Sequence, residues 1–141
     1  MCLLVAGGAV MAQDEAATEP TAQALADMVN AGWNDDDVAL LEQIYAPDAA
    51  HRATYFDGVY EASGRDAVIS AATNRATVTP VAPIVELEAP AGALHWVSFG
   101  DISAPGYSAK GTICSFWAQD GKIVHHDCLI SMDCPVGMCT P

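Results

Sequence analysis

The chain has 141 residues, 52% of them hydrophobic, with 18 acidic against 5 basic side chains and a formal net charge of -13. That length and apolar content suit one domain with a proper core and leave no room for a second. The charge excludes nucleic acid and anionic membrane surfaces as partners, because both need a basic footprint and no Lys or Arg precedes Arg52.

Residues 1–12 form an apolar run too short to span a bilayer, and Val10-Met11-Ala12 before Gln13 resembles a signal-peptidase site, although the basic segment that usually precedes one is missing. The run reads as a truncated signal peptide, so the expected location is secreted or periplasmic, with the cytoplasm as the alternative. Residues 13–20 read as an acidic linker, residues 21–133 as the folded domain and residues 134–141 as a Cys-rich tail.

Thr21 is placed to cap a first helix over 22–33, with Ala22, Leu25, Met28, Val29 and Trp33 on one face. Asn34 and Asp35 to Asp37 supply a cap and a negative first turn for a second helix, striped by Val38, Leu41, Ile44 and Tyr45 and stopped by Pro47. The three successive Asp residues point different ways on a helix, which favours capping over chelation. Residues 49–60 read as a strand broken at Asp57-Gly58, with His51 at its start. Ser63 to Asp66 has capping-box spacing ahead of a third helix reaching about Asn74. Strands follow over 81–88 and 93–102, and then two apolar runs, 112–118 and 123–130, flank Asp120-Gly121, a strong hairpin signal. This order predicts an α+β fold: a curved antiparallel sheet wrapped around the N-terminal helices, a cone with an internal pocket suited to a small molecule.

The second hairpin strand carries His125, His126, Asp127 and Cys128 in succession. Alternation puts His126 and Cys128 on one face with Val124 and Ile130, and His125 and Asp127 on the other with Ile123 and Leu129. Loss of Cys2 with the signal segment would leave Cys114, Cys128, Cys134 and Cys139, an even set that suggests disulfides in an exported chain. A two-residue loop sets Cys114 opposite Asp127 and a three-residue loop sets it opposite His126, so neither register faces it with Cys128. A local Cys134–Cys139 bridge is therefore the first expectation and a bridge from Cys128 to the tail the second. An all-reduced set is expected if the protein is cytoplasmic.

Several segments together resemble SnoaL-like members of the nuclear-transport-factor-2-like superfamily. They are Leu41-Glu42-Gln43-Ile44-Tyr45-Ala46-Pro47-Asp48-Ala49, then His51, then Gly64-Arg65-Asp66-Ala67-Val68, and finally Asp120-Gly121-Lys122-Ile123-Val124. The resemblance implies an α+β cone, often dimeric through its outer sheet face. It also implies a pocket that in some members performs cofactor-independent acid/base chemistry on small organic substrates, as cyclase, isomerase or lyase, and in others is silent. A common SnoaL-like last strand reads Gly-Lys-Ile-Val-Glu-His-Trp-Asp. Here His126 is retained, Cys128 takes the carboxylate position, and Asp127 takes the aromatic position on the opposite face.

Histidine titrates near neutral pH without help, which makes His126 the first candidate for acid/base work. Its partner would come from His51, Asp57 or Tyr107, which the resemblance places near the wall or mouth of the cone. His95, Phe116 and Cys128 are further pocket-lining candidates. A zinc site drawn from His126, Cys128, Cys134 and Cys139 matches no tight ligand spacing, so neither metal nor cofactor is expected. Cys128 as a nucleophile activated by His126 is disfavoured too, since residues two apart on a strand lie ~6–7 Å apart. The sequence thus points to an exported protein that binds a small organic ligand, with catalysis left open. The rival is a non-catalytic ligand-binding or dimerisation scaffold, and the third choice is a zinc-binding protein built on the Cys-rich tail.

Overall fold

The structure is a computed structural model describing residues 19–55, 58–72, 77–104, 107–130 and 132–133. The signal-like run, Asp57, Cys134 and Cys139 lie outside the described residues, so the expected bridge in the tail does too.

The first helix, α1 (Ala22–Asn34), starts where Thr21 accepts a hydrogen bond from the Ala24 amide, 3.2 Å away, satisfying one of the free N–H groups of the first turn. It buries Ala22, Leu25, Val29 and Trp33 of the predicted face, together with Ala26, while Met28 of that face is only partly buried. In the second helix, α2 (Val38–Ile44), Asp37 caps the Leu40 amide at 3.0 Å, so that member of the acidic run is a cap. Val38 is exposed and stands outside the buried stripe of Leu41 and Ile44. The helix ends at Ile44, three residues before the expected stop at Pro47, because Tyr45 is already extended and opens strand β1 (Tyr45–Tyr55). The two helices meet at Gly32, where a Cβ would lie 2.5 Å from Cδ2 of Leu41.

Strand β2 (Gly58–Ser63) returns antiparallel to β1 and leads into α3 (Arg65–Ala72). Then come β3 (Thr77–Leu87), β4 (Ala93–Ala104), β5 (Tyr107–Gln119), β6 (Lys122–Leu129) and the two-residue β7 (Met132–Asp133). The curved sheet has the order β2-β1-β6-β5-β4-β3, with β7 beside β5. Its pairs are antiparallel except β1–β6, which is parallel and joins the first strand to the last long one. The outermost β3 carries Pro80 and Pro83 and is largely exposed. Asn34 at the end of α1 fastens to it: the Asn34 amide donates to the Val78 carbonyl at 2.9 Å, and the Val78 N–H donates back to Asn34 Oδ1 at 2.7 Å. Trp96, Tyr45, Leu25, Leu41, Ile44 and Ile123 fill the core between helices and sheet.

The hairpin forms as its Asp-Gly signal predicts. Both turn residues are left-handed, Asp120 at φ 50° and Gly121 at φ 72°, the conformation of a two-residue turn whose twist suits the flanking strands. Gln119 faces Lys122 and Ala118 faces Ile123, but Trp117 then faces His125, leaving Val124 as an extra residue on β6. This bulge corrects two expectations. It moves the ladder on by one residue, so Cys114 faces Cys128 directly, and the two form a disulfide with Cα atoms 4.1 Å apart. It also breaks the alternation: Ile123 turns inward with His126 and Cys128 instead of outward with Asp127, and is fully buried. Opposite the same bulge, the β1–β6 register jumps between Tyr45 and Ala50, which leaves Pro47 in a stretch that pairs with no β6 residue.

Candidate functional site

A cavity of about 310 Å³ lies between α1 and the inner face of the sheet, a volume at the lower end of small-ligand sites. One wall is the α1 side of Ala26, Asn30 and Trp33; the others are the inward residues of β3, β4 and β5 and the Cys114–Cys128 disulfide. Gln23 and Asp27, one turn apart on α1, line the cavity while remaining exposed, which places its opening beside them. The Gln23 amide donates to Asp27 Oδ1 at 2.8 Å.

His51 lines this cavity from β1. It sits directly across the parallel ladder from His126, and their rings lie 4.1 Å apart between centroids. His126 does not line the cavity; it is 1% exposed and enclosed by the rings of Trp33, Tyr45, His51 and Phe116. Its Nδ1 lies 3.3 Å from the Tyr45 hydroxyl. Burial holds the His126 pKa well below the ordinary histidine value, and the neighbouring His51 and His125 push it the same way. Burial lowers His51 as well, opposed by the His126 backbone and by Asp127. Both rings are therefore neutral at pH 7, and burial also pushes the Tyr45 phenol upward, which keeps it protonated. The His51 Nδ1 and the Thr112 hydroxyl are buried without a hydrogen-bond partner among the described residues, and both residues line the cavity.

The remaining candidates are dispersed. Cys128 lines the cavity, but as half of a disulfide it carries no thiol. Phe116 is buried behind the wall, stacked on Trp96 with centroids 5.1 Å apart. His95 is on the opposite face of β4 from Trp96, stacked on Trp117 at 3.9 Å, with its Nε2 2.9 Å from the Ser115 hydroxyl. Tyr107 opens β5 opposite Ala104. Asp127 pairs with His125 at 3.0 Å on the exposed face of β6. Trp33 and Thr112 belong to the cavity wall although neither was singled out as a site residue. Trp33 reads in sequence as ordinary helix stripe, and no local signal marks a buried threonine.

No protein-family model matches the sequence, and no curated protein matches it. Solved structures do. The orange carotenoid protein of Anabaena (Nostoc) sp. PCC 7120, solved binding canthaxanthin, aligns with a TM-score of 0.64 at 17% identity over 78% of this chain. Only 36% of that protein is covered, so this chain spans about a third of its length. An NTF2-like protein of unknown function from Cytophaga hutchinsonii aligns at 0.63 and 10% identity, over 81% of this chain and 93% of its own. A candidate ketosteroid isomerase from Kribbella flavida aligns at 0.59 and 13% identity, over 84% of this chain and 81% of its own. With its helices packed inside a curved sheet in this strand order, the chain has the nuclear-transport-factor-2-like fold, the fold to which its SnoaL-like sequence resemblance pointed.

Proposed function

We propose that the protein is an exported SnoaL-like binder of one small, largely apolar organic molecule that carries a carbonyl or hydroxyl group. The observation that carries this is the combination, in the cavity lining, of apolar surface with three buried polar atoms lacking partners among the described residues, Trp33 Nε1, His51 Nδ1 and the Thr112 hydroxyl. Buried polar groups are rarely left unmatched, and the oxygen of a ligand in the cavity would satisfy one or another of them. Thr112 donates to such an oxygen, and His51 accepts from a hydroxyl or, in its other tautomer, donates to a carbonyl. The Cys114–Cys128 disulfide supports an oxidising compartment.

Proton transfer is the second reading, and the observation favouring it is the neutral His51 ring in the wall, backed by the buried His126–Tyr45 pair. Among described lining residues the only carboxylate is Asp27, at the exposed rim. The absence of a further carboxylate among these described residues favours binding over an isomerase, cyclase or lyase. Dimerisation through the outer face is a further part of the proposal, supported by Ile113, Trp117 and Leu129, which are 41%, 37% and 57% exposed there.

Fluorescence titration with 1-anilinonaphthalene-8-sulfonate tests the binding. Wild type is expected to take up the probe at one saturable site and to quench Trp33, while Ser98→Phe, which fills the cavity, loses it. Equal binding by Ser98→Phe, with loss on Leu129→Glu instead, would place the apolar site on the outer face and refute the cavity.

A further inference from the structure

The ligand-capable atoms of His51, His126 and Cys128 all lie within 4.8 Å of one another. This set differs from the one drawn from the sequence, which joined His126 and Cys128 to the tail cysteines. What brings His51 in is the parallel β1–β6 ladder, which pairs His51 with His126 and Ala53 with Cys128. His126 has its Nδ1 against the Tyr45 hydroxyl, which leaves Nε2 as the ring nitrogen it can turn to a metal, and His51 Nδ1 has no partner among the described residues. A ring held from behind by a hydrogen-bonding group is the usual arrangement of a metal-bound histidine. Two neutral imidazoles and one thiolate are a zinc donor set, with a fourth position left for water.

The sulfur is the missing element. In the disulfide, Cys128 has no thiolate to offer, so the cluster as it stands is not a metal site. Tetrahedral zinc also needs its donors about 3.5 Å apart, closer than the limit within which these three lie. Release of Cys128 from Cys114 supplies both the charge and the freedom of its side chain to close that gap.

We propose that His51, His126 and Cys128 form a zinc site that the Cys114–Cys128 disulfide keeps shut and that reduction by a dithiol opens. The chemistry balances. One thiolate of the dithiol attacks a disulfide sulfur, the Cys114–Cys128 bond breaks, and a mixed disulfide forms. The second thiol of the reductant then displaces the protein sulfur, so the dithiol leaves as its own disulfide and the two cysteines together gain two electrons and two protons. Zinc displaces the proton of Cys128, accepts lone pairs from the two imidazoles and holds one water; Cys114 remains a thiol. This inference stands apart from the organic-ligand proposal, since it concerns the reduced protein and a different occupant.

The test is titration of the full chain with cobalt(II), a spectroscopic stand-in for zinc, under argon with and without a phosphine reductant, followed by competition with zinc. Reduced wild type is expected to bind one cobalt with a thiolate charge-transfer band that zinc abolishes, and the oxidised protein none. Cys114→Ser, which frees Cys128 without any reductant, is expected to bind cobalt in both conditions. Cys128→Ser should lose the band, and His51→Ala should weaken binding by at least roughly 10-fold, the scale on which even supporting groups act at such sites. Circular dichroism of each variant checks that it is folded. No cobalt binding by folded reduced wild type or by Cys114→Ser would overturn the proposal. So would binding that survives Cys128→Ser but vanishes when Cys134 and Cys139 are replaced, which would assign the metal to the tail.

Discussion

His51 and His126 are register partners on parallel strands, and their imidazoles lie 4.1 Å apart between centroids although 75 positions separate them in the chain (126 - 51). Both pKa values are lowered in the folded protein, chiefly by burial. The unfolded chain therefore binds protons that the native state refuses as pH falls below about 6.5. Stability contributed by the neutral rings is complete above that pH and drains away below it, each histidine giving a slope of at most about 1.4 kcal/mol per pH unit. Urea unfolding at pH 7.5, 6.0 and 5.0 should show this loss, and His126→Phe, which keeps an aromatic ring in the same cage, should flatten it. An unchanged slope in that variant would mean that other groups cause the acid lability. His51, the other histidine whose pKa burial lowers, is the residue to replace next.

The Cys114–Cys128 bridge closes a loop of sequence separation 14. Restricting the unfolded chain over such a loop is worth about 3 kcal/mol in the chain-entropy model. Wild type with reductant, or the Cys114→Ala/Cys128→Ala double variant, should unfold at a urea concentration lower by roughly 1–2 M. If the midpoint does not move, the bridge contributes nothing to stability.

At the α1–α2 contact, Gly32→Ala places a methyl group 2.5 Å from a side-chain carbon of Leu41, which is completely buried. Overpacking of this kind costs about 1–3 kcal/mol, enough to outweigh the gain of up to ~1 kcal/mol in helix propensity. Thermal melts should show Gly32→Ala destabilised, with part of the loss recovered when Leu41→Val is added. Additive effects of the two substitutions would show that the two sites do not press on each other.

Asn34 binds both backbone groups of Val78 and so holds the end of α1 against the edge strand that forms one cavity wall. Asn34→Ala removes two hydrogen bonds, each worth about 1 kcal/mol net at most in this exposed position. Hydrogen exchange should accelerate at the Val78 amide while the β5–β6 amides stay protected. Uniform acceleration across the sheet would instead indicate global loosening.

The features legible in the sequence are those governed by neighbours in the chain. Thr21 and Asp37 announce their helices through capping, and Asp120-Gly121 announces its turn because few dipeptides accept two left-handed residues. Features set by distant partners were hidden. The extra residue at Val124 has no local signature, yet it alone turns an apparent mismatch of Cys114 and Cys128 into a direct pair and swings Ile123 into the core. Pro47 reads as a helix stop, but its place is a stretch that the β1–β6 ladder skips, where a missing N–H costs nothing. His51 was visible as a candidate, but its contact with His126 depends on a parallel pairing between the first strand and the sixth, and no local pattern encodes that.

The prolines of β3 bear on how copies of this chain meet. Among the described residues β3 has a strand on one side only, and on its other side another chain could extend the sheet strand by strand. Pro80 and Pro83 have no N–H to offer, and the register slips on both sides of Ala82, so an incoming strand would find its ladder interrupted within a few residues. Growth of the sheet into filaments is hindered at that edge.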